Sequence, residues 1–78
     1  MTLASLKPGE QAVIEQVAGG GAIARRMADM GVVPGQRVMV LRVAPLGDPL
    51  ELQVMGYHLS LRKSEAQRVK VRPGGVDA

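Results

Sequence analysis

Leu50-Glu51-Leu52-Gln53-Val54-Met55-Gly56-Tyr57-His58-Leu59-Ser60-Leu61-Arg62 is the stretch that decides the fold. Leu50, Leu52 and Val54 alternate with Glu51, Gln53 and Met55, the period of a strand with one buried and one wet face. Gly56 with Tyr57 predicts a tight hairpin connection. The return strand then carries Leu59 and Leu61 inward, with His58, Ser60 and Arg62 outward.

Upstream, Pro45, Gly47, Asp48 and Pro49 crowd into a loop. Before it, Arg37 to Ala44 reads as a strand with Val38 and Val40 on one side and Met39, Leu41 and Val43 on the other. Apart from Arg42, both sides of that strand are apolar. Further back the period changes: Ile23, Met27 and Met30 recur at helical spacing and leave Arg25, Arg26 and Asp29 to solvent. Gly31 suits the left-handed position just past a helix end, Val32 is placed to touch Met27 across the cap, and Pro34 blocks continuation. The helix therefore ends at about Met30, and three turns are too few to persist without packing on the sheet. Gly19-Gly20-Gly21 separates it from a first strand, Gln11 to Val17, in which Val17 falls out of step with Ala12 and Ile14. A bulge or a strand end near Glu15-Gln16 accounts for that slip. Lys7-Pro8-Gly9-Glu10 turns the chain before this strand.

Downstream, Lys63-Ser64-Glu65-Ala66 can form one helical turn before a last strand, Arg68 to Val71. Pro73 to Ala78 reads as a flexible tail. The expected architecture is mainly β: a small, SH3-like, partly open barrel of about five strands, with one short inserted α-helix and one helical turn before the last strand. Residues 1–72 form its single domain.

Composition narrows the function. A chain of 78 residues builds one modest core. With no Trp, no Phe and Tyr57 alone, aliphatic and Met side chains must supply that core. Aromatic-lined peptide grooves and base-stacking platforms are disfavoured for the same reason. The absence of Cys excludes disulfides, thiolate metal sites and a cysteine nucleophile, and it fits a cytoplasmic setting. The longest apolar run, Val38 to Leu41, is far short of a membrane span, and no signal segment follows Met1. Between Arg62 and Arg72 lie Arg62, Lys63, Arg68, Lys70 and Arg72 against Glu65, a basic end that suits an acidic partner or a solvated strand face equally well.

The order of these signals resembles the FeoA family, ferrous iron transport protein A. The resemblance is carried by Leu3-Ala4-Ser5-Leu6-Lys7-Pro8-Gly9-Glu10, by Arg25-Arg26-Met27-Ala28-Asp29-Met30-Gly31-Val32-Val33-Pro34-Gly35, by Ala44-Pro45-Leu46-Gly47-Asp48-Pro49-Leu50, and by Leu59-Ser60-Leu61-Arg62-Lys63-Ser64-Glu65-Ala66 before Val69 and Val71. Met27 stands where the family pattern has Leu, a swap that conserves volume. The resemblance implies a cytosolic SH3-like barrel that works beside the membrane transporter FeoB, whose GTPase domain accompanies a ferrous iron channel. It also implies a free-standing module starting at Met1, similar in form to the C-terminal domain of iron-dependent repressors.

No residue set points to catalysis, because the lone His58 sits in a strand with no evident orienting carboxylate. His58 also leaves ferrous iron without the converging His and carboxylate ligands that it prefers, although a surface His can bridge a metal between molecules. No cofactor is expected. The triple glycine before the helix lacks the Lys-Ser/Thr ending of a phosphate-binding loop. What remains is docking, on a FeoB-type transporter or its GTPase domain, by a monomer or weakly self-associating module. Met39, Leu41 and Val43 are the candidate apolar stripe if they face outward, and Tyr57, Arg25 and Arg26 are the other candidate contacts. The helix or the N-terminal segment covering that stripe is the competing reading. A basic nucleic-acid or ribosome-associated module and a metal-linked regulatory domain are the functional alternatives, with nucleic acid not expected.

Overall fold

Alternation sets the sheet. The computed structural model describes residues 1–74, in which a short 3-10 turn (Leu3–Ser5) precedes β1 (Gln11–Val17), α1 (Gly21–Asp29), β2 (Arg37–Val43), β3 (Leu50–Val54), β4 (Tyr57–Leu61), α2 (Lys63–Ala66) and β5 (Val69–Pro73). The strands form one antiparallel sheet in the order β4-β3-β2-β1-β5. This is the mainly β, SH3-like architecture with one inserted helix and one helical turn that the alternation predicts.

Cross-strand pairs stack the core. Val38 faces Val54, Val40 faces Leu52, Leu50 faces Leu61, and Ile14 faces Val71. All are buried, and Leu3, Leu6, Ala12, Met27, Val32, Ala66 and Val69 complete the same cluster. No polar or charged side chain is buried with them among the described residues. The hydrophobic effect therefore holds this fold without help from buried ionic or hydrogen-bonded side-chain networks. The N-terminal segment is tied down by a bridge between Thr2 and Lys70 and by the Val71 N–H donating to the Met1 carbonyl at 3.0 Å.

Two register slips shape the strands. In β1 the pairing with β5 shifts between Ile14 and Gln16, which returns Val17 to the core side, as its out-of-step position requires. In β2 the pairing with β3 shifts between Val40 and Arg42, leaving Leu41 as the extra residue. The slip restores Val43 to the core side, where it faces Leu50 and packs on the buried cluster. Strict alternation puts Val43 outward with Met39, and one inserted residue reverses that orientation.

Other boundaries move by a residue or two. The hairpin turn is Met55-Gly56 rather than Gly56-Tyr57, with φ of +54° and +82°, so Tyr57 opens β4. Both positive angles match the twist that a two-residue hairpin needs, and Met55 adopts its angle without the freedom of glycine. β2 stops at Val43, and β5 runs Val69–Pro73 rather than from Arg68 to Val71. Pro73, assigned to the tail from sequence, faces Ala12 at the sheet edge, where its missing N–H is tolerated. The Gly74 N–H reaches the Gln11 carbonyl at 3.4 Å, and the rest of the expected tail lies outside the described residues.

α1 is closed and braced at its C-terminal end. The Val32 N–H donates to the Met27 carbonyl at 2.9 Å and the Gly31 N–H to the Ala28 carbonyl at 2.9 Å, the paired bonds of a Schellman cap. Gly31 has φ of +86°, and a Cβ placed there would lie 2.7 Å from Met55 Sδ and 3.2 Å from the Tyr57 hydroxyl oxygen. The Tyr57 hydroxyl donates to the Met30 carbonyl. Arg26 Nη2 lies 2.7 Å from Glu65 Oε2, and Glu65 Oε1 accepts the Arg62 N–H at 2.9 Å at the start of α2. The helix is thus held to β4 at its end and to α2 along its side, while Met27 is buried and Ile23 and Met30 lean on the core.

Two stability effects follow from this packing. Leu52→Ala is expected to destabilise by about 3 kcal/mol, from the cavity left between β2 and β4. Gly31→Ala is expected to cost about 2 kcal/mol, because the left-handed backbone and the tyrosine hydroxyl both oppose a Cβ. Urea unfolding followed by far-ultraviolet circular dichroism measures both, and an unchanged midpoint for either would contradict the stated packing.

Candidate partner interface

The outer face of the sheet is what the core leaves over. Register lines up Gln11, Met39, Gln53 and His58 across β1, β2, β3 and β4 in a single row on that face. Met39 is half-buried among the polar ends of its neighbours. Beside it Gln11, Gln36, Arg37, Gln53 and Met55 line a shallow depression of about 320 Å³. One step along the strands Arg42 faces Glu51, with Nε 3.7 Å from Oε2. Such a surface offers amide donors and acceptors around a thioether, the mix of adaptable polar and apolar contact that protein interfaces use.

The candidate contact residues do not form one patch. Met39 lies in the outer row, Leu41 sits half-buried at the register slip, and Val43 belongs to the core side. Tyr57 is 42 % exposed, and its hydroxyl is engaged by Met30. Arg26 is engaged by Glu65, whose side chain is only 14 % exposed. Arg25 stands in solvent on α1. Tyr57 and Arg26 therefore position the helix, a task invisible in sequence because residues 26 and 65, or 30 and 57, meet only once the sheet has curled.

His58 is exposed and shares a shallow groove with Glu51, Leu59 and Ser60. Among the described residues no three His, Cys, Asp or Glu side chains gather where they could hold an ion. A second cleft is lined by Arg26, Asp48, Pro49, Ser60, Arg62 and Glu65, between α1, α2 and β4. Its carboxylates are committed: Asp48 Oδ1 accepts the Lys63 N–H at 3.1 Å, while Glu65 holds Arg26 and the Arg62 N–H. Sequence reading did not single out Gln11, Gln53 or Met55 as site residues, and strand alternation is the signal that could have found the two glutamines.

Comparison with known proteins supplies the rest. A curated relative, the Fe(2+) transport protein A/Fe(2+) transporter FeoB fusion protein of Porphyromonas gingivalis (strain ATCC BAA-308 / W83), is 41 % identical over 71 residues, 91 % of this chain and 8 % of its own length. The solution structure of iron(II) transport protein A from Clostridium thermocellum superposes with a TM-score of 0.92 at 36 % identity, covering 96 % of this chain and 46 % of that one. The zinc complex of Stenotrophomonas maltophilia FeoA, described as an SH3 domain protein, gives a TM-score of 0.79 at 41 % identity over 92 % of this chain and 89 % of that one. This chain thus spans a small part of the fusion protein and about half of the first of these structures. The family model for the FeoA domain matches residues 1–73, and the chain belongs to the FeoA domain family.

Proposed function

We propose that this domain is a cytoplasmic, non-enzymatic accessory of ferrous iron uptake that docks on the cytosolic side of a FeoB-type transporter, or on its GTPase domain, and regulates or assembles it. The observation that carries this reading is the relative in which a FeoA-like segment and a FeoB transporter share one chain. Fusion keeps the two at high effective concentration, which is useful only if they work in contact. The physical chemistry agrees. Among the described residues no three His, Cys, Asp or Glu side chains gather where they could hold an ion, and no helix is long and apolar enough to cross a membrane. A domain of that kind works by contact. Met39, with the glutamines beside it, and Leu41 and Arg25 are the candidate contact residues that the fold does not itself consume.

Binding to the purified GTPase domain of the FeoB-type transporter, with and without a GTP analogue, tests the proposal. Saturable binding is expected, and its absence both in solution and with the full transporter in membranes would refute it. Met39→Asp is expected to weaken binding at least about tenfold while the melting temperature holds, since the outer row carries none of the core. Val43→Asp is expected to unfold the domain instead, because a charge there enters the apolar cluster unpaired.

A further inference from the structure

Met55 stands at a backbone angle that favours other residues. Its φ is +54°, the one positive angle outside glycine among the described residues. Hairpin positions of this kind are usually filled by Asn, Asp or Gly, so what the methionine side chain touches is informative. It touches the helix cap. A Cβ placed on Gly31 would lie 2.7 Å from Met55 Sδ and 3.2 Å from the Tyr57 hydroxyl oxygen, so sulfur and hydroxyl crowd the same point over the end of α1. The hydroxyl in turn donates to the Met30 carbonyl. Thioether, phenol and helix end form one junction.

The same residue is open to solvent. Met55 is 64 % exposed and lines the open depression beside Met39. The other methionines lack that combination. Met27 is buried, Met30 and Met39 are half-buried, and Met1 is exposed where its carbonyl accepts the Val71 N–H on β5. Met55 alone joins free access from water to a contact over Gly31.

We infer that Met55 is a modification site: hydrogen peroxide oxidises it to the sulfoxide, and the added oxygen draws the Tyr57 hydroxyl off the Met30 carbonyl and frees the end of α1. A sulfur lone pair attacks one peroxide oxygen as the O–O bond breaks. An S–O bond forms, the sulfur gives up two electrons, and the second oxygen leaves as water with both protons. The product is a polar group where an apolar one stood, and sulfoxide reductases return it to the thioether. A thioether sulfur is a weak acceptor and leaves the phenol to the carbonyl, whereas the sulfoxide oxygen competes for it. Losing that bond leaves the Met30 carbonyl at the helix end without its partner. Nothing in this step requires a docked transporter.

Peroxide titration of the full chain, with the modified residues located by peptide mass mapping, is the test. Tyr57 makes the junction visible, because it is the one aromatic residue in the chain and its near-ultraviolet circular dichroism belongs to no other side chain. Met55 is expected to gain its oxygen at least about fivefold faster than Met30 and Met39, since susceptibility follows exposure. The oxidised protein is expected to melt about 5 °C lower with a weakened tyrosine band, and sulfoxide reductases for both epimers are expected to restore both signals. Met55→Leu keeps the apolar volume and still oxidises at Met1; treated alike, it is expected to hold its melting temperature and its tyrosine band. In Tyr57→Phe there is no hydroxyl to divert, and oxidation of Met55 is expected to lower the melting temperature by about half as much or less. That comparison decides alone should Met55→Leu fail to fold. Oxidation of Met55 no faster than of Met39 would overturn the inference. So would an oxidised protein with unchanged melting temperature and tyrosine band, or an equal loss of stability in either variant.

Discussion

The junction at Gly31 is the constraint on which the rest of the structure depends. There the helix must stop, the chain must turn toward β2, and the β3–β4 hairpin must close down on the cap, all within van der Waals reach. A left-handed backbone angle satisfies the first two demands, and the absence of a side chain satisfies the third. Tyr57 spends its hydroxyl on the Met30 carbonyl, a group that a helix end would otherwise leave without a partner. The one aromatic residue in the chain is thereby used as a brace. This explains how a helix of nine residues stays put on an aliphatic core, since the end of the helix is locked to the sheet that its Met27 stripe covers.

Most of this arrangement was legible in the linear chain because the signals are local. Alternation from Leu50 to Leu61, the change of period at Ile23, the stop at Gly31-Val32 and the single turn at Lys63–Ala66 each depend on neighbours only a few residues away. The slip at Glu15 was legible too, since Val17 could not share a face with Ile14 without it. The slip at Leu41 was not. Apart from Arg42, both faces of β2 are apolar, so the pattern carries little mark of an inserted position, and strict alternation puts Val43 on the wrong side. A strand with two greasy faces carries little information about its own register.

The candidate site was less legible than the fold, and for a related reason. Arg26 and Tyr57 look like surface residues in sequence, yet each finds its partner 39 or 27 positions away only after the sheet has curled. Long-range pairs of that kind leave no periodic mark. The outer row of Gln11, Met39, Gln53 and His58 is likewise assembled from four strands, and no two of its members are sequence neighbours. The family resemblance, by contrast, rests on turns and helix ends, the parts of the chain where local chemistry is strictest. A family can therefore be recognised from residues that build the fold while the residues that meet a partner stay hidden.

That division bears on how so small a domain can act at all. Its core is wholly apolar among the described residues, so the core supplies no switch of charge or protonation. Its surface polar groups are spread around the sheet, with the carboxylates nearest the cleft already engaged in holding α1 and α2. In the docking proposed above, contact would be made by the shape of the barrel and by its surface groups. Rigidity is what the Gly31 junction, the Arg26–Glu65 pair and the moored β2–β3 loop together provide. For the docking proposed above, a barrel already braced in this way would lose little conformational entropy in meeting its partner.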